Sequence, residues 1–193
     1  MFKNLSFILI VMKLYFATGN THKLEEARAV LSDYAITVEQ LDDKGHEAKE
    51  ATIQDVARTA AQRLAEKHKK PVIVDDTGVF FEAYKNFPGA HPRLMFELLG
   101  YKGLMKLLGE RREAYFLCCV ACCMPGKKPV LFEGRLDGRI AKKPADLRKD
   151  VMPYERIFVP KGMKKTISAL TRVEKNKISH RAAAFRKLGE YLA

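Results

Sequence analysis

The stretch LYFATGNTHKLEEARAVL, residues 14–31, decides the class of fold. An apolar run gives way to six small or polar residues, after which Leu24, Ala27, Val30 and Leu31 recur at the spacing of one helical face. Glu25 and Glu26 fall in the first turn of that helix, where acidic side chains suit the dipole. The unit is therefore strand, short loop, helix. At a helix start the backbone N–H groups are unpaired and the dipole is positive, so a Gly-containing loop there is a natural anion seat. Thr18, Gly19, Asn20, Thr21, His22 and Lys23 make up this loop, with Lys23 as a mobile cation and Asn20 as a fixed donor. The GxxxxGK[ST] spacing of a Walker loop is absent. A capped turn with a solvated lysine explains the same residues, so the loop alone does not decide a function.

Working outward, AITVEQL (35–41) reads as a second strand, and the acidic loop DDKGHEAKE (42–50) follows it. Thr52 and Asp55 resemble a capping box, and Ile53, Val56, Ala57, Ala60, Ala61 and Leu64 stripe the next helix. PVIVDD (71–76) is a short buried strand that delivers two carboxylates at its end. Beyond NFPGAHPR (86–93), residues 93–108 look helical, and AYFLCCVACCM (114–124) with PVLFEGRLDGRIA (129–141) reads as a hairpin of long strands. KKPADLRKDVMPYER (142–156) is a poorly patterned loop, IFVP (157–160) a short strand, and ISHRAAAFRKLGEYL (178–192) a helix with Ile178, Ala182, Phe185, Leu188 and Leu192 on one face. Helices separate the early strands and a turn joins the late ones. This order predicts an α/β domain with a mixed sheet and a ligand crevice at the strand ends.

The 193 residues suit one domain, with residues 1–12 as an extension and 13–193 as the compact unit. The extension lacks a cleavage site for a signal peptide, and no run reaches a membrane span. A hydrophobic fraction of 47% and a charged fraction of 30% indicate a globular chain. The net charge of +12 directs attention to an anionic partner: nucleic acid, membrane surface or phosphorylated small molecule. The basic residues form no long block and are not interleaved with aromatics, which argues against specific nucleic-acid binding. Cys118, Cys119, Cys122 and Cys123 suggest zinc at first sight. On a strand, however, Cys118 and Cys122 share one face and Cys119 and Cys123 the other, with same-face pairs roughly 13 Å apart, too far for one tetrahedral ion. They read as buried thiols suited to a reducing cytoplasm.

Asp75 and Asp76, in VDDTG (74–78), are two adjacent carboxylates that need a counter-charge, which a hard divalent ion supplies through oxygen ligands; acidic turn residues after a strand are the plainer alternative. EKNKISHR (174–181) places Lys175 before a helix and His180 and Arg181 in its first turn, where cations oppose the dipole unless an anion lies between. Solvated surface is again the plainer alternative.

Together, TGNTHK, VDDTG, PGAHPR and EKNKISHR, in this order and at these separations, resemble the inosine triphosphate pyrophosphatase family, with FEGRLDGRIA similar to its central hairpin. The resemblance runs from about residue 13 to the C-terminus. It implies a two-lobed α/β homodimer in the cytoplasm that hydrolyses ITP, dITP and XTP to the monophosphate and pyrophosphate with Mg²⁺. It places triphosphate on the loop from Thr18 to Lys23, with Lys23 also catalytic. Asp76 is then metal ligand and catalytic carboxylate, Thr77 lies beside the substrate, and Arg93 matches the basic residue after the Pro-Gly turn. Lys175, His180 and Arg181 match the later motif, with Lys23 and Lys175 taking charge from the leaving pyrophosphate and His180 and Arg181 donating to the 6-keto oxygen of the base. A second metal ligand falls on Asp43, with Glu47 and Glu50 competing.

In one segment the chain departs from that pattern. Where the family has Phe-Gly-aromatic-Asp-Pro, this sequence has Met152, Pro153, Tyr154, Glu155 and Arg156. Met152 cannot stack on a base as Phe does, Pro153 stiffens a place left to Gly, and Glu155 keeps the charge on a longer stem. The same chemistry on another base, or binding without turnover, are the alternatives this leaves.

Overall fold

The computed structural model describes residues 12–43, 52–85 and 87–193. Among these the order is β1 (Met12–Ala17), α1 (Thr21–Leu31), β2 (Ile36–Leu41), α2 (Ile53–His68), β3 (Val72–Phe81), β4 (Pro88–Gly89), α3 (Pro92–Leu108), β5 (Glu113–Cys123), β6 (Val130–Ile140), β7 (Phe158–Pro160), α4 (Arg172–Ile178) and α5 (His180–Leu192). One mixed sheet runs β2-β1-β3-β5-β6-β7, with β4 added beside β3. β1 is parallel to β2 and β3, and the remaining pairs are antiparallel. The expected α/β class and mixed sheet are both present. No helix of the described residues is long and apolar enough to cross a membrane.

Strand alternation sorts the core. Cys118, Val120 and Cys122 of β5 face α1 and α5, in a cluster with Leu14, Phe16, Leu24, Val30, Phe185 and Leu188. Cys119, Ala121 and Cys123 face α2 and pack with Ala57, Ala61, Leu64 and Val74. The expected two-and-two division of the thiols is therefore realised, and burial pushes Cys118, Cys119 and Cys122 up to about 12. A third cluster lies at the other end of the long strands, where Val79, Phe81, Phe116, Ile140 and Phe158 pack with Leu104 and Leu108 of α3.

Two elements differ from the sequence reading. β3 does not end at the aspartates but continues to Phe81, so VDDTG lies in mid-strand. Its glycine is not a turn residue: a Cβ on Gly78 would stand 2.8 Å from the Gly89 carbonyl oxygen, so β4 can lie against β3 only because that side chain is missing. The C-terminal helix is also two helices. Thr171 and Glu174 form a reciprocal capping box that starts α4, and Ser179, in extended conformation, ends α4 and caps α5 by accepting from Ala182 N. Ile178 thus belongs to α4 rather than to the α5 stripe. α3 is similarly interrupted, at Gly100, where φ is 56°.

The site is positioned by a mismatch in strand length. β1 pairs with β3 only at Tyr15↔Val72 and Phe16↔Ile73, and β4 joins that edge only at Val79 and Phe80. Between them Val74 to Gly78 pair with β5 on one side alone. The loop that leaves β1 and enters α1 therefore comes beside the unpaired stretch that carries the two aspartates.

Candidate active site

The β1–α1 loop owes its shape to Asn20. Its Oδ1 accepts from His22 N at 3.0 Å and Lys23 N at 3.4 Å, capping α1, and its own N–H donates to Thr18 Oγ1 at 3.1 Å. Asn20 is thus the N-cap, and only its Nδ2 remains as the expected donor, 3.9 Å from Met152 Sδ. Gln40 of β2 holds the loop from behind by donating to Thr18 O at 2.8 Å. Thr21 opens α1, and Gly19 is exposed.

From this loop a line of alternating charges runs through the interior. Lys23 Nζ lies 2.9 Å from Asp75 Oδ1, and Arg181 Nε lies 2.9 Å from Asp75 Oδ2. Arg181 Nη1 is 2.9 Å from Glu26 Oε2, while Lys175 Nζ is paired with Glu26 Oε1 and, at 2.6 Å, with Glu155 Oε1. Arg181 is 1% exposed although it stands in the first turn of α5, and the anions expected between such a cation and the helix dipole are Asp75 and Glu26. Burial opposes ionisation of both carboxylates, but their cations prevail. Lys23 and Arg181 lower Asp75 to about 2, and Arg181 and Lys175 lower Glu26 to about 2. Thr77 Oγ1 completes the cluster, 3.4 Å from Arg181 Nη2.

Gly134 brings α5 close enough for this. A Cβ there would collide with the His180 carbonyl oxygen and crowd Ala184 N, so the start of α5 rests directly on the β6 backbone. His180 is buried, lies flat on Phe116 with ring centroids 4.5 Å apart and planes 5° apart, and leaves Nδ1 unpartnered. Burial, reinforced by the neighbouring Arg181, holds its pKa well below the ordinary value, so the ring is neutral.

Sequence reasoning anticipated Lys23, Thr77, Glu155, Lys175, His180 and Arg181, and the structure gathers them. Glu26 it assigned only to the helix dipole. The available signal was its position four residues before Val30, inside the buried arc of α1 rather than on the charged face. Asp76 is half-buried on the other face of β3, in register with Cys119, whose pKa its charge helps to raise. Asp43 follows β2 and pairs with Lys67 Nζ at 2.7 Å and His68 Nε2 at 2.9 Å, at the end of α2. Glu47 and Glu50 lie outside the described residues. Arg93 opens α3, exposed and bonded to Glu97 Oε1 at 2.8 Å. His22 Nε2 stands 3.5 Å from Asp150 Oδ1, and Tyr154 is buried against Phe96.

The profile of the Ham1 family matches residues 14–191. This chain belongs to the Ham1 family. The dITP/XTP pyrophosphatase of Methanopyrus kandleri is 40% identical over 93% of this chain and 96% of its own, and that of Pyrobaculum aerophilum is 39% identical over 94% and 96%. The Ham1 protein of Staphylococcus aureus superposes with a TM-score of 0.76 at 25% identity, covering 93% of this chain and 97% of that one.

Proposed function

We propose that this protein is a nucleoside triphosphate pyrophosphatase that hydrolyses ITP, dITP and XTP to the monophosphate and pyrophosphate. The observation that carries the reading is the charge line from Lys23 to Glu155, which joins a phosphate-sized loop to Arg181 and Lys175 beside the buried, neutral His180. Ham1 membership and relatives named dITP/XTP pyrophosphatases support it.

In the reaction, water attacks the α-phosphorus, the bond to the bridging oxygen breaks, and pyrophosphate leaves. Asp76 accepts the water proton. Lys23 turns from Asp75 to the phosphates and offsets the charge on the leaving group, while Arg181 continues to neutralise Asp75. Lys175, held between Glu26 and Glu155, fits the base end better than the leaving group. His180 and Arg181 donate to the 6-keto oxygen of hypoxanthine or xanthine. Adenine presents an amino group there and leaves a buried donor unpaired, which is how such a site rejects it.

Mg²⁺ fits this donor set. Among the described residues no three His, Cys, Asp or Glu side chains form a cluster, and magnesium needs only one or two carboxylates together with substrate phosphates. Asp76 would hold it, with Asp43, Glu47 or Glu50 as second ligand; Asp43 must first leave Lys67 and His68. Held by those residues, the ion would supply charge to offset the phosphates and to polarise the reacting phosphoryl group.

Pyrophosphate release from ITP, dITP, XTP, ATP, GTP, dUTP and dTTP, with and without Mg²⁺, tests the reading. ITP and XTP are expected to lead by about a hundredfold, roughly 2.7 kcal/mol of discrimination. Equal or faster cleavage of ATP and GTP contradicts it. The four unpaired thiols are consistent with a cytoplasmic enzyme. A homodimer through α3 accounts for the exposure of Leu94, Leu98, Leu99 and Leu107 on a helix whose Phe96, Tyr101, Leu104, Met105 and Leu108 pack on the core. Light scattering should give twice the chain mass, and Leu98→Lys half of that; a monomeric wild type removes the dimer.

A further inference from the structure

We infer that Arg156 is a positioning residue for the segment that faces the base, acting through main-chain carbonyls rather than by touching substrate; the inference rests on the pyrophosphatase reading. Twelve residues, 141–152, run from the end of β6 to the short 3-10 helix Pro153–Arg156 without a helix or strand of their own. They must still be held in place, because the same segment brings Asp150 to His22, Met152 to Asn20 and, just beyond, Glu155 to Lys175.

Lys149 Nζ ties the segment outward to Ser168 O and, at 3.4 Å, to Leu170 O, and the ties within it gather on Arg156. Its Nη2 donates to Lys149 O at 2.5 Å and its Nε to Asp146 O at 3.4 Å. Its Nη1 lies 3.4 Å from the hydroxyl of Tyr101, which donates to Pro153 O at 3.0 Å, and its own carbonyl accepts from Ala145 N at 2.9 Å. One planar fork therefore spans two carbonyls three residues apart and, through Tyr101, reaches a third. Asp146 is the bend that makes this possible: its φ is 52°, a left-handed conformation, and its carboxylate accepts from Ser168 Oγ at 2.7 Å. A lysine offers a single ammonium on a flexible stem and cannot bridge two carbonyls in a fixed plane. The resembling motif has proline at this position, which stiffens the chain through its ring. Here the guanidinium supplies the stiffness by reaching across the loop.

The test compares Arg156→Ala, Arg156→Lys and Tyr101→Phe with wild type in the full-length protein. Trypsin under native conditions reads the segment directly, since Lys142, Lys143, Arg148 and Lys149 are exposed in it. Cleavage there is expected to accelerate by about tenfold in Arg156→Ala and less in the other two variants, in step with the population of the released segment. With ITP, KM should rise by about tenfold while kcat stays within about threefold, and the preference for ITP over ATP should fall by a similar factor, the pattern of lost substrate positioning. Millimolar methylguanidinium should restore KM in Arg156→Ala and not in Arg156→Lys. Unchanged cleavage and unchanged KM overturn the inference, as does an equal loss of kcat/KM for both nucleotides without rescue. If Arg156→Ala does not fold, the intermediate effects of Arg156→Lys and Tyr101→Phe decide in the same terms. A wild type that cleaves no ITP refutes the pyrophosphatase reading instead, and the trypsin comparison then judges Arg156 alone.

Discussion

The two faces of β3 put the same residue type to opposite uses. Asp75 turns toward α1 and α5, is buried, and is clasped by Lys23 and Arg181. Asp76 turns toward the α2 side, remains half-buried, and stands across from Cys119. In the sequence the pair reads as two carboxylates seeking one counter-ion. Strand alternation separates them, so one carboxylate is consumed in holding the architecture and the other, on the proposed reading, does the chemistry. Adjacency in a strand argues against a shared ligand as firmly as it argues for one in a turn.

The contrast can be tested from each side. The largest effect belongs to Asp76→Asn, which should lower kcat for ITP by about a thousandfold or more, close to 4 kcal/mol of barrier. Retained turnover in that variant would remove Asp76 from the reaction. Asp75→Asn should do the reverse in kind. It strands part of the charge on buried Arg181 and half-buried Lys23, and urea titration is expected to register a loss of about 3 kcal/mol.

Acid sharpens the distinction. The pKa of Asp75 and of Glu26 is lowered to about 2 in the fold, so the stability they contribute is complete above the ordinary carboxylate range near 4 and is lost as pH falls toward 2. Stability should therefore fall by on the order of 2 kcal/mol per group between pH 5 and 2 in wild type and in Asp76→Asn. Asp75→Asn, already without one of these carboxylates, should show a shallower decline. Equal slopes in all three proteins would mean that Asp75 is not the ionised strut its contacts make it.

Much of this was legible in the residues, and for a physical reason. The β1–α1 unit, the stripe of α2 and the face-by-face division of the cysteines follow from local periodicity, which the fold did not override. Lys23, Lys175 and Arg181, from motifs far apart in the chain, are linked through Asp75 and Glu26. What escaped depends on partners distant in sequence. Gly78 reads as a turn until β4 is placed beside it. Glu26 reads as a favourable first-turn acid until α4 and α5 deliver Lys175 and Arg181 to it. Arg156 is, in the sequence, only the end of a segment that departs from the family pattern, and its ties form when the loop it spans is folded.

The charge line has a kinetic consequence. Lys23, Arg181 and Lys175 are balanced by Asp75, Glu26 and Glu155, so the buried cluster is formally neutral in a chain of net charge +12. The attraction that draws in a polyanionic nucleotide must then come from charges outside the cluster, exposed to salt. Encounter should slow as ionic strength rises, whereas the choice between bases, which the proposed reading gives to His180 and Arg181 in the interior, should not.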